Sequence, residues 1–527
     1  MLEYDAIIIG SGFGGALAAH PLVHAGWRVL MIERGGWLAR GPENWHAEAV
    51  RDLSAQYDCS TPYRVAGDDP GDIGSVHCVG GASVFFGGVA LRYREADFVA
   101  TSAERQVGAL WPYPYGELEP YYAAAEHIMG VAGATGSDPT EPARSANFPN
   151  RLPPLSRISR RLSDAAERIG YHPSRLPLAI NYLAQDARKA CVHCSTCDCY
   201  PCAIGAKNDM ASAVLPSLLR AGLELVTEIA VTGIRLAGAR AREVDGIDLR
   251  QGARVQYAAR HVIFAAGALA TPHLLLASGC DQRHSSGRLI GKFLMRHTNA
   301  VVFGVFPDRL DPAREFHKQI MINDCYFGHS SIVEPTGRLG TIQQVHCPPI
   351  GLVRAGLPRP FAQLGTRMLG RMTGLIVIAN DEPQPANATS LSGATNQLGM
   401  PAARVHHRYA ARDLAARAAL VKVAKAVLAE AGALLTFALP VRTFSHALGS
   451  VRSGASGQLA PVTADGRLRG FQNIWIADAS VLPTSAAVNP SLTIAATALR
   501  TGCLLAGVAP SHVAAARGIN REGIQYA

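Results

Sequence analysis

The N-terminal region constrains the fold more than any other part of the chain. Residues 4–35 read "YDAIIIGSGFGGALAAHPLVHAGWRVLMIERG", which is an apolar strand, a G-x-G-x-x-G turn, a helix and a second apolar strand. Gly10 permits the tight turn, Gly12 lets the backbone approach a pyrophosphate, and Gly15 lets the helix pack closely on the strand. The N-terminus of the helix then faces the phosphates with its positive end. The pattern predicts a Rossmann-like α/β unit that binds a dinucleotide.

Three further features indicate which nucleotide is bound. Glu33 ends the second strand, where its carboxylate can accept hydrogen bonds from a ribose. Residues 260–279 predict a later strand ending in Ala-Ala-Gly and then a helix, and residues 77–88 form a second glycine-rich loop. An N-terminal nucleotide unit in a chain this long favours FAD over NAD. The predicted cofactor-binding residues of these segments are Gly10, Ser11, Gly12, Gly15, Glu33, Gly80, Gly81, Ser83, Ala266 and Gly267.

Composition excludes several other classes of protein. A chain of 527 residues predicts two or three packed domains. The formal charge of +9 is spread along the chain without a block of Lys and Arg, so we expect no nucleic-acid partner. No apolar run reaches the ~18 residues of a membrane-spanning helix, and no secretory signal is recognisable. We therefore expect no integral membrane segment and a cytoplasmic location.

The C-terminal region predicts a second functional segment. Residues 473–478, "NIWIAD", read as a strand, and a loop then leads to a helix beginning near residue 490. Asn489 suits the N-cap of that helix, and Pro490 suits its first turn. Upstream, His446 precedes a turn that contains glycine.

Taken in order, these segments resemble the glucose–methanol–choline (GMC) family of FAD-dependent alcohol oxidoreductases. The resemblance covers residues 6–500 and is carried by "GSGFGG…ERG", "GGASVFFGG", "WPYPYGELEPYYAAAEHIMG", "AAGALATPHLLLASG", "IGKFLMRH", "DEPQPANATSL", "HALGSVRSG" and "IWIADASVLPTSAAVNPSLTIAATALR". It implies an α/β protein with a discontinuous Rossmann-like FAD-binding domain. It also implies a second, α+β substrate domain built on a mainly antiparallel sheet.

The resemblance implies domain boundaries that the strand patterns support. Residues 1–300 are predicted to form the FAD-binding domain, and residues 441–527 to return to it with the catalytic residues. Residues 301–440 alternate apolar and polar side chains, which is typical of strands with one buried face, and are predicted to form the substrate domain. Gln343, Gln344 and His346 are candidate polar contacts to substrate, although alternation lets only some of them face inward.

The resemblance also implies roles for single residues. His446 matches the active-site histidine, which handles the hydroxyl proton while a hydride passes to flavin N5. Asn489 matches the second active-site position and would bind the substrate oxygen or the flavin edge. Asp478 would reach the ribityl chain, and Val231 falls where the family contacts adenine. The helix after Asn489 would direct its N-terminus at the flavin.

One departure concerns the flavin linkage. Phe86 stands where the related cholesterol oxidase pattern has Asn, and no histidine matches the one that binds flavin covalently in some members. We therefore expect non-covalent FAD, with His77 and Cys78 as the alternative attachment points.

The segment 191–202, "CVHCSTCDCYPC", holds five of the 11 cysteines. In a reducing compartment, such clustering is more typical of metal or redox chemistry than of structural disulfides. Its spacing leaves open an iron–sulfur cluster, structural zinc or a disulfide-tied loop, and unliganded thiols. Some sugar dehydrogenases of the family hold an iron–sulfur cluster in such a segment. The candidate ligands are Cys191, Cys194, Cys197, Cys199 and Cys202.

The sequence therefore predicts an FAD-dependent alcohol oxidase or dehydrogenase. Polar side chains in the strands of the predicted substrate domain favour a sugar- or aminosugar-like primary alcohol as substrate. O2 or an external acceptor would take the electrons. The alternatives are a sterol or long-chain alcohol oxidase, an electron-transfer flavoprotein subunit with an iron–sulfur cluster, and an NAD(P)-dependent dehydrogenase.

Overall fold

The computed structural model describes residues 3–45, 57–184, 188–194, 196–198, 200–310, 316, 318–328, 337–347 and 358–515. Its strands are β1 Glu3–Ile9, β2 Val29–Ile32, β3 Tyr57–Gly67, β4 Gly71–Val76, β5 Pro173–Arg175, β6 Glu224–Val226, β7 Ile229–Ala237, β8 Arg240–Asp248, β9 Arg254–Phe264, β10 Thr298–Val305, β11 Ile320–Ile322, β12 Gly340–Val345, β13 Met372–Ala379, β14 Ala388–Thr395, β15 Pro401–His407, β16 Leu435–Pro440 and β17 Ile474–Ile476. Its α-helices are α1 Phe13–His24, α2 Ser102–Gln106, α3 Tyr115–Met129, α4 Arg157–Arg168, α5 Leu215–Arg220, α6 Ala270–Ala277, α7 Arg359–Met368, α8 Ala411–Glu430, α9 Ser491–Ala506 and α10 Pro510–Ala515. Within these ranges, no helix combines the length and apolar character needed to cross a bilayer.

A seven-stranded sheet carries the predicted βαβ unit. Its order is β6-β2-β1-β9-β8-β7, with β17 paired to β9. The strands β6, β2, β1, β9 and β17 pair in parallel, whereas β7 and β8 extend the sheet as an antiparallel ladder. Strand β9 lies directly beside β1, with Ile8 opposite Ile263. The prediction that the later strand returns next to the nucleotide unit is therefore confirmed.

The second sheet has six strands in the order β16-β10-β13-β12-β11-β5, and every pairing is antiparallel. Helices α4 and α8 share one apolar core with it. Helix α8 presents Leu420, Val423 and Val427 to this core, at the three- and four-residue spacing of one helical face. The predicted fold class, a Rossmann-like α/β domain with an antiparallel α+β domain, is confirmed.

A third sheet joins the two halves of the chain. Its order is β14-β15-β3-β4, and β15 pairs in parallel with β3, with Val405 opposite Val65. The strands of segment 301–440 therefore divide between two sheets, while β5 reaches the six-stranded sheet from residues 173–175. Sequence periodicity does not distinguish these pairings, because each partner comes from a distant part of the chain.

The start of α9 corrects one prediction. The helix begins at Ser491, and the carbonyl of Pro490 accepts its first helical hydrogen bond from the amide of Ile494 at 2.8 Å. Pro490, not Asn489, is therefore the N-cap residue. The side chain of Asn489 does not cap the helix, because its amide oxygen accepts a hydrogen bond from Gln343.

Helices α1 and α9 pack backbone to backbone, and this contact gives a test of the fold. A Cβ atom on Gly502 would lie 2.5 Å from the carbonyl oxygen of Ala18. We predict that Gly502→Ala lowers the free energy of unfolding by about 1–3 kcal/mol despite the better helix propensity of alanine. The matched control is Gly116→Ala in α3, where a Cβ meets nothing within 4 Å. The control should stabilise the protein by about 0.4–1 kcal/mol. Denaturant unfolding of both variants measures the difference, and equal effects would contradict this packing.

Candidate active site

The three glycines of the N-terminal turn serve two different purposes. Gly10 has φ +103°, and a Cβ there would lie 2.5 Å from the carbonyl oxygen of Ala265. A Cβ on Gly15 would lie 1.9 Å from the carbonyl oxygen of Gly10. Gly12 differs, because a Cβ there would approach only the oxygen of Gly80, at 3.8 Å. Gly10 and Gly15 are therefore required by packing, whereas Gly12 borders open space at the N-terminus of α1. A side chain at Gly12 would occupy this space, so the turn fits a bound pyrophosphate.

Ser11 and Glu33 join this turn to the second glycine-rich loop. The amide and hydroxyl of Ser11 donate to Glu33 Oε2 at 3.0 and 2.5 Å, and the amide of Gly80 donates to Ser11 Oγ at 2.9 Å. The amide of Gly35 donates to Glu33 Oε1 at 3.1 Å. Burial raises the pKa of Glu33, and the hydrogen bonds from Ser11 and Gly35 act in the opposite direction. Since a carboxylate has about four acceptor sites, Oε1 retains capacity for a ribose hydroxyl.

The loop at 77–88 lies over the first turn. A Cβ on Gly81 would lie 3.3 Å from the Cα of Gly12, so the two glycine-rich backbones are adjacent. The hydroxyl of Ser83 already hydrogen-bonds within the protein. It donates to the oxygen of Gly80 at 2.6 Å and accepts from the amide of Met210 at 3.0 Å. Burial raises the pKa of the Cys78 thiol, which keeps it protonated and weakly nucleophilic.

Phe86 lies beside the nucleotide helix. Its ring meets that of Phe13 edge to face, with centroids 5.0 Å apart. The residue that departs from the related pattern is thus part of the apolar packing at the start of α1.

Asp478 links the Ala-Ala-Gly turn to the C-terminal segment. Its Oδ2 accepts from the amide of Gly267 at 2.9 Å and from the hydroxyl of Thr271, and its Oδ1 accepts from the amide of Ser480 at 2.8 Å and from the Ser480 hydroxyl. Burial raises the pKa of Asp478, and these hydrogen bonds oppose that shift. Gly267, with φ +91°, faces open space beside Ala266.

The strand that carries Val231 starts next to Glu33. The amide of Glu33 donates to the oxygen of Val226 at 2.9 Å, and the amide of Ile229 donates to the oxygen of Glu33 at 3.1 Å. Val231 follows in β7, opposite Gly246 of β8. All the predicted cofactor segments therefore converge around β1, β9 and α1. The individual FAD contacts of Val231, Asp478 and Ser83 remain predictions.

The candidate catalytic histidine lies against a second histidine. Met295 and Leu448 form an antiparallel bridge, and His297, two residues after Met295, faces His446, two residues before Leu448. Their Nδ1 atoms are 3.2 Å apart, and their rings are nearly perpendicular at 84°. Burial lowers the pKa of His446 to about 4. Burial, and then the neighbouring His446, lower the pKa of His297 to about 3. Both imidazoles are therefore neutral at neutral pH.

Asn489 lies against the six-stranded sheet. Gln343 of β12 donates from Nε2 to Asn489 Oδ1 at 2.7 Å. Gln344, the next residue of the strand, lies on the opposite face, where its Oε1 accepts from Ser159 of α4 at 2.8 Å. His346 packs edge-on to Phe316, with centroids 5.0 Å apart. Gln343 thus contacts a predicted catalytic residue, Asn489.

Sequence reasoning missed the residues behind the histidine pair. Arg296 is buried between the rings of Tyr409 and Phe444, and its guanidinium pairs with Asp69. Asp381 Oδ2 accepts from the amide of Arg296 at 2.7 Å and from the His407 ring at 2.8 Å. Arg296, His297 and Asp381 lie in the quoted stretches "IGKFLMRH" and "DEPQPANATSL", so their position was visible. Their partners are distant in sequence, so their role was not.

The structure does not show the predicted metal site in the part of the cysteine-rich segment that it describes. Cys191, Cys194, Cys197 and Cys202 are free thiols, and Cys199 lies outside the described residues. Across the part of the chain that the structure describes, no three His, Cys, Asp or Glu side chains are grouped closely enough to hold a metal ion. Burial raises the pKa of Cys191 to about 12 and also raises that of Cys197. An iron–sulfur cluster or zinc is therefore not supported.

Backbone and ion-pair contacts hold this segment instead. Buried Lys207 donates from Nζ to the carbonyl oxygens of Cys197 and Tyr200, each at 2.7 Å. Asp198 pairs with Lys318, which precedes β11. The segment thus connects the FAD-binding region to the six-stranded sheet.

Comparison with known proteins identifies the family. Two family models, both described as GMC oxidoreductase, match residues 73–299 and 383–498. The chain belongs to the GMC oxidoreductase family. It is 29% identical to 6'''-hydroxyparomomycin C oxidase of Streptomyces lividus, over 98% of this chain and 92% of that protein. It is also 29% identical to paromamine 6'-oxidase of Streptomyces fradiae, over 96% and 91% of the two chains.

A solved structure confirms the fold of this GMC oxidoreductase. Pyridoxine 4-oxidase from Mesorbium loti superposes with a TM-score of 0.66 at 19% identity, over 95% of this chain and 99% of that one. Family membership and the open space at Gly12 together support FAD as the cofactor.

The open space at Gly12 allows folding and FAD binding to be separated. We predict that Gly12→Ala leaves the stability of the FAD-free enzyme within about 0.5 kcal/mol of wild type, because no packed atom meets the new methyl group. FAD affinity should fall by about tenfold or more, because the methyl group enters the path of the pyrophosphate. Titration of the FAD-free protein with FAD measures the affinity. The matched control is Gly393→Ala in β14, where a Cβ meets nothing within 4 Å. Unchanged FAD affinity in Gly12→Ala would contradict the assigned pyrophosphate path.

Proposed function

We propose that this GMC oxidoreductase oxidises a primary alcohol of a sugar- or aminosugar-like substrate, with His446 taking the hydroxyl proton. The observation that carries the proposal is the placement of His446, whose ring lies against that of His297 with the two Nδ1 atoms 3.2 Å apart. Burial lowers the pKa of His446 to about 4, so the imidazole is neutral at neutral pH and retains a lone pair. The position of this neutral base in the loop that pairs with Met295, at the end of "IGKFLMRH", supports a catalytic role.

Bound FAD supplies the hydride acceptor, N5 of the flavin. The residues of the chain handle the oxygen of the alcohol. His446 accepts the hydroxyl proton. Asn489 receives a hydrogen bond on Oδ1 from Gln343, which leaves its amide N–H groups to donate to the substrate oxygen or the flavin edge. A base and a donor together bind both the proton and the oxygen of an alcohol.

Two observations favour a polar substrate over a sterol or a long-chain alcohol. The relatives at 29% identity are named as oxidases of paromamine and of a hydroxyparomomycin, and the alignments span nearly the whole chain. In addition, Gln343 brings a polar side chain from the six-stranded sheet to Asn489. We assign residues 301–440 mainly to the substrate side, and residues 1–300 and 441–527 to the FAD side. O2 or an external acceptor then reoxidises the enzyme.

The substrate class is tested by anaerobic reduction of the bound flavin. We expect an aminosugar with a free primary hydroxyl to bleach the visible flavin absorption, whereas its deoxy analogue at the same carbon does not. The analogue is the matched control, since it retains the other polar groups but lacks the reacting oxygen. Reduction by sterols or long-chain alcohols alone would contradict the proposed substrate class. Failure of every alcohol to bleach the flavin would contradict the proposed reaction.

The role of His446 is tested by substitution and by pH. His446→Ala should retain FAD and lose ~10²–10⁴-fold in the rate of flavin reduction, because no other group takes the proton. In the wild type, burial lowers the pKa of His446 from the ordinary value of histidine to about 4. The imidazole therefore stays neutral as the pH falls below that ordinary value, and it is protonated only near pH 4. We therefore expect kcat/KM to stay level through neutral pH and to decline as pH approaches about 4. Turnover unchanged in His446→Ala would show that another group is the base.

A further inference from the structure

We propose that His297 is a positioning residue that fixes the tautomer of His446, so that Nδ1 of His446 carries the proton and Nε2 is the bare nitrogen offered to the substrate. The inference rests on the proposed function of His446. It concerns a residue that the sequence patterns did not single out, and it follows from the hydrogen bonds on the two sides of the His297 ring.

The first side of the ring faces a group that can only accept. Nε2 of His297 lies 2.9 Å from the carbonyl oxygen of Ser485. A carbonyl has no proton to give, so Nε2 of His297 must carry the hydrogen. His297 is 1% exposed, so this bond lies in the interior of the protein.

The hydrogen-bonding role of Nδ1, on the second side of the ring, then follows by elimination. A neutral imidazole carries one N–H, so Nδ1 of His297 has only its lone pair and must accept. The atom facing it at 3.2 Å is Nδ1 of His446, which must therefore donate. With its single hydrogen on Nδ1, His446 has its lone pair on Nε2. The lowered pKa of each ring keeps both neutral and so preserves this arrangement.

The positions of the protons on the two rings depend on the carbonyl of Ser485, so this residue must be fixed in place. Its hydroxyl accepts from the amide of Asp381 at 3.0 Å and lies 3.1 Å from Asn380 Oδ1. The same Asp381 binds the amide of Arg296 through its carboxylate at 2.7 Å. Asp381 therefore binds both the side chain of Ser485, whose carbonyl orients His297, and the amide of Arg296, the residue before His297.

The backbone of His297 adopts a strained conformation. Its φ is 62°, in the left-handed region that residues other than glycine rarely adopt. Tyr409 donates from its hydroxyl to the His297 carbonyl oxygen at 3.1 Å and so holds this conformation. Such strained conformations persist where the surrounding structure imposes them, and they concentrate at functional sites.

Two substitutions separate orientation from packing. His297→Asn keeps an acceptor oxygen near the position of Nδ1, and asparagine tolerates the left-handed backbone. His297→Ala removes the acceptor. We expect the alanine variant to retain FAD and to lose ~10- to 100-fold in kcat with little change in KM, since the base is present but wrongly protonated. The asparagine variant should recover most of this loss. Equal losses in both variants, or no loss in either, would overturn the proposal.

The matched control is His273→Asn. His273 is also a buried histidine bonded to a backbone carbonyl, that of Pro401 at 2.7 Å, but it makes no contact with His446. It should leave kcat within about twofold of wild type, which is the scatter expected of a substitution away from the reacting atoms.

A spectroscopic measurement decides the tautomer without using turnover. In the FAD-bound enzyme labelled with 15N-histidine, the signals of His446 are assigned by their loss in His446→Gln. We expect a protonated Nδ1 and an unprotonated Nε2 in the wild type and in His297→Asn, and a shift toward protonated Nε2 in His297→Ala. Protonated Nε2 in the wild type would overturn the proposal even if the alanine variant fails to fold. If no alcohol reduces the flavin, the proposed function fails while this measurement still reports the proton position.

Discussion

Direct packing of backbone on backbone around α1 is the constraint on which the rest of the structure depends. A Cβ on Gly14 would lie 1.9 Å from the carbonyl oxygen of Ala477, and one on Gly10 would lie 2.5 Å from that of Ala265. The glycine turn and the start of α1 therefore lie as close as atoms allow to the residues that follow β9 and β17. Ala477 immediately precedes Asp478, which binds the Ala-Ala-Gly turn. This packing brings the last quarter of the chain to the N-terminal nucleotide turn and places the loop before α9 in the interior.

Buried polar groups position the segment that carries Arg296 and His297. Burying a charge costs free energy unless partners replace its hydration, and breaking such a pair is strongly destabilising. Arg296 meets that condition through Asp69, the aromatic rings of Tyr409 and Phe444, and His407. Asp381 connects this cluster to Ser485. The network leaves little freedom to the backbone at His297, because the residues on both sides of it are hydrogen-bonded to groups that are themselves fixed. Such a rigid setting suits a site in which one proton must stay on one nitrogen.

The cysteine-rich segment has a structural position that explains its close packing without a metal. Lys207, whose pKa is lowered by burial, is held by two carbonyl oxygens of the segment. Arg40 forms a bidentate ion pair with Asp209 and also donates to the carbonyl oxygen of Cys202 at 3.3 Å. The segment is thereby attached to the FAD side by Arg40 and Lys207 and to the substrate side by the Asp198–Lys318 pair. Thiol spacing alone is compatible with either a metal site or a packed loop, because ligation depends on where the sulfur atoms point.

The sequence by itself determined the nucleotide unit and the family. Local patterns were sufficient there, since a glycine turn between two apolar strands and an Asn-Pro before a helix act over a few residues. Only the tertiary structure decided that Gln343 rather than Gln344 meets Asn489, that Pro490 caps α9, and that His297 faces His446. Each of these depends on which face of a strand is buried or on an antiparallel register between segments about 150 residues apart. No local pattern encodes such a register, because the two segments that it joins are distant in the sequence.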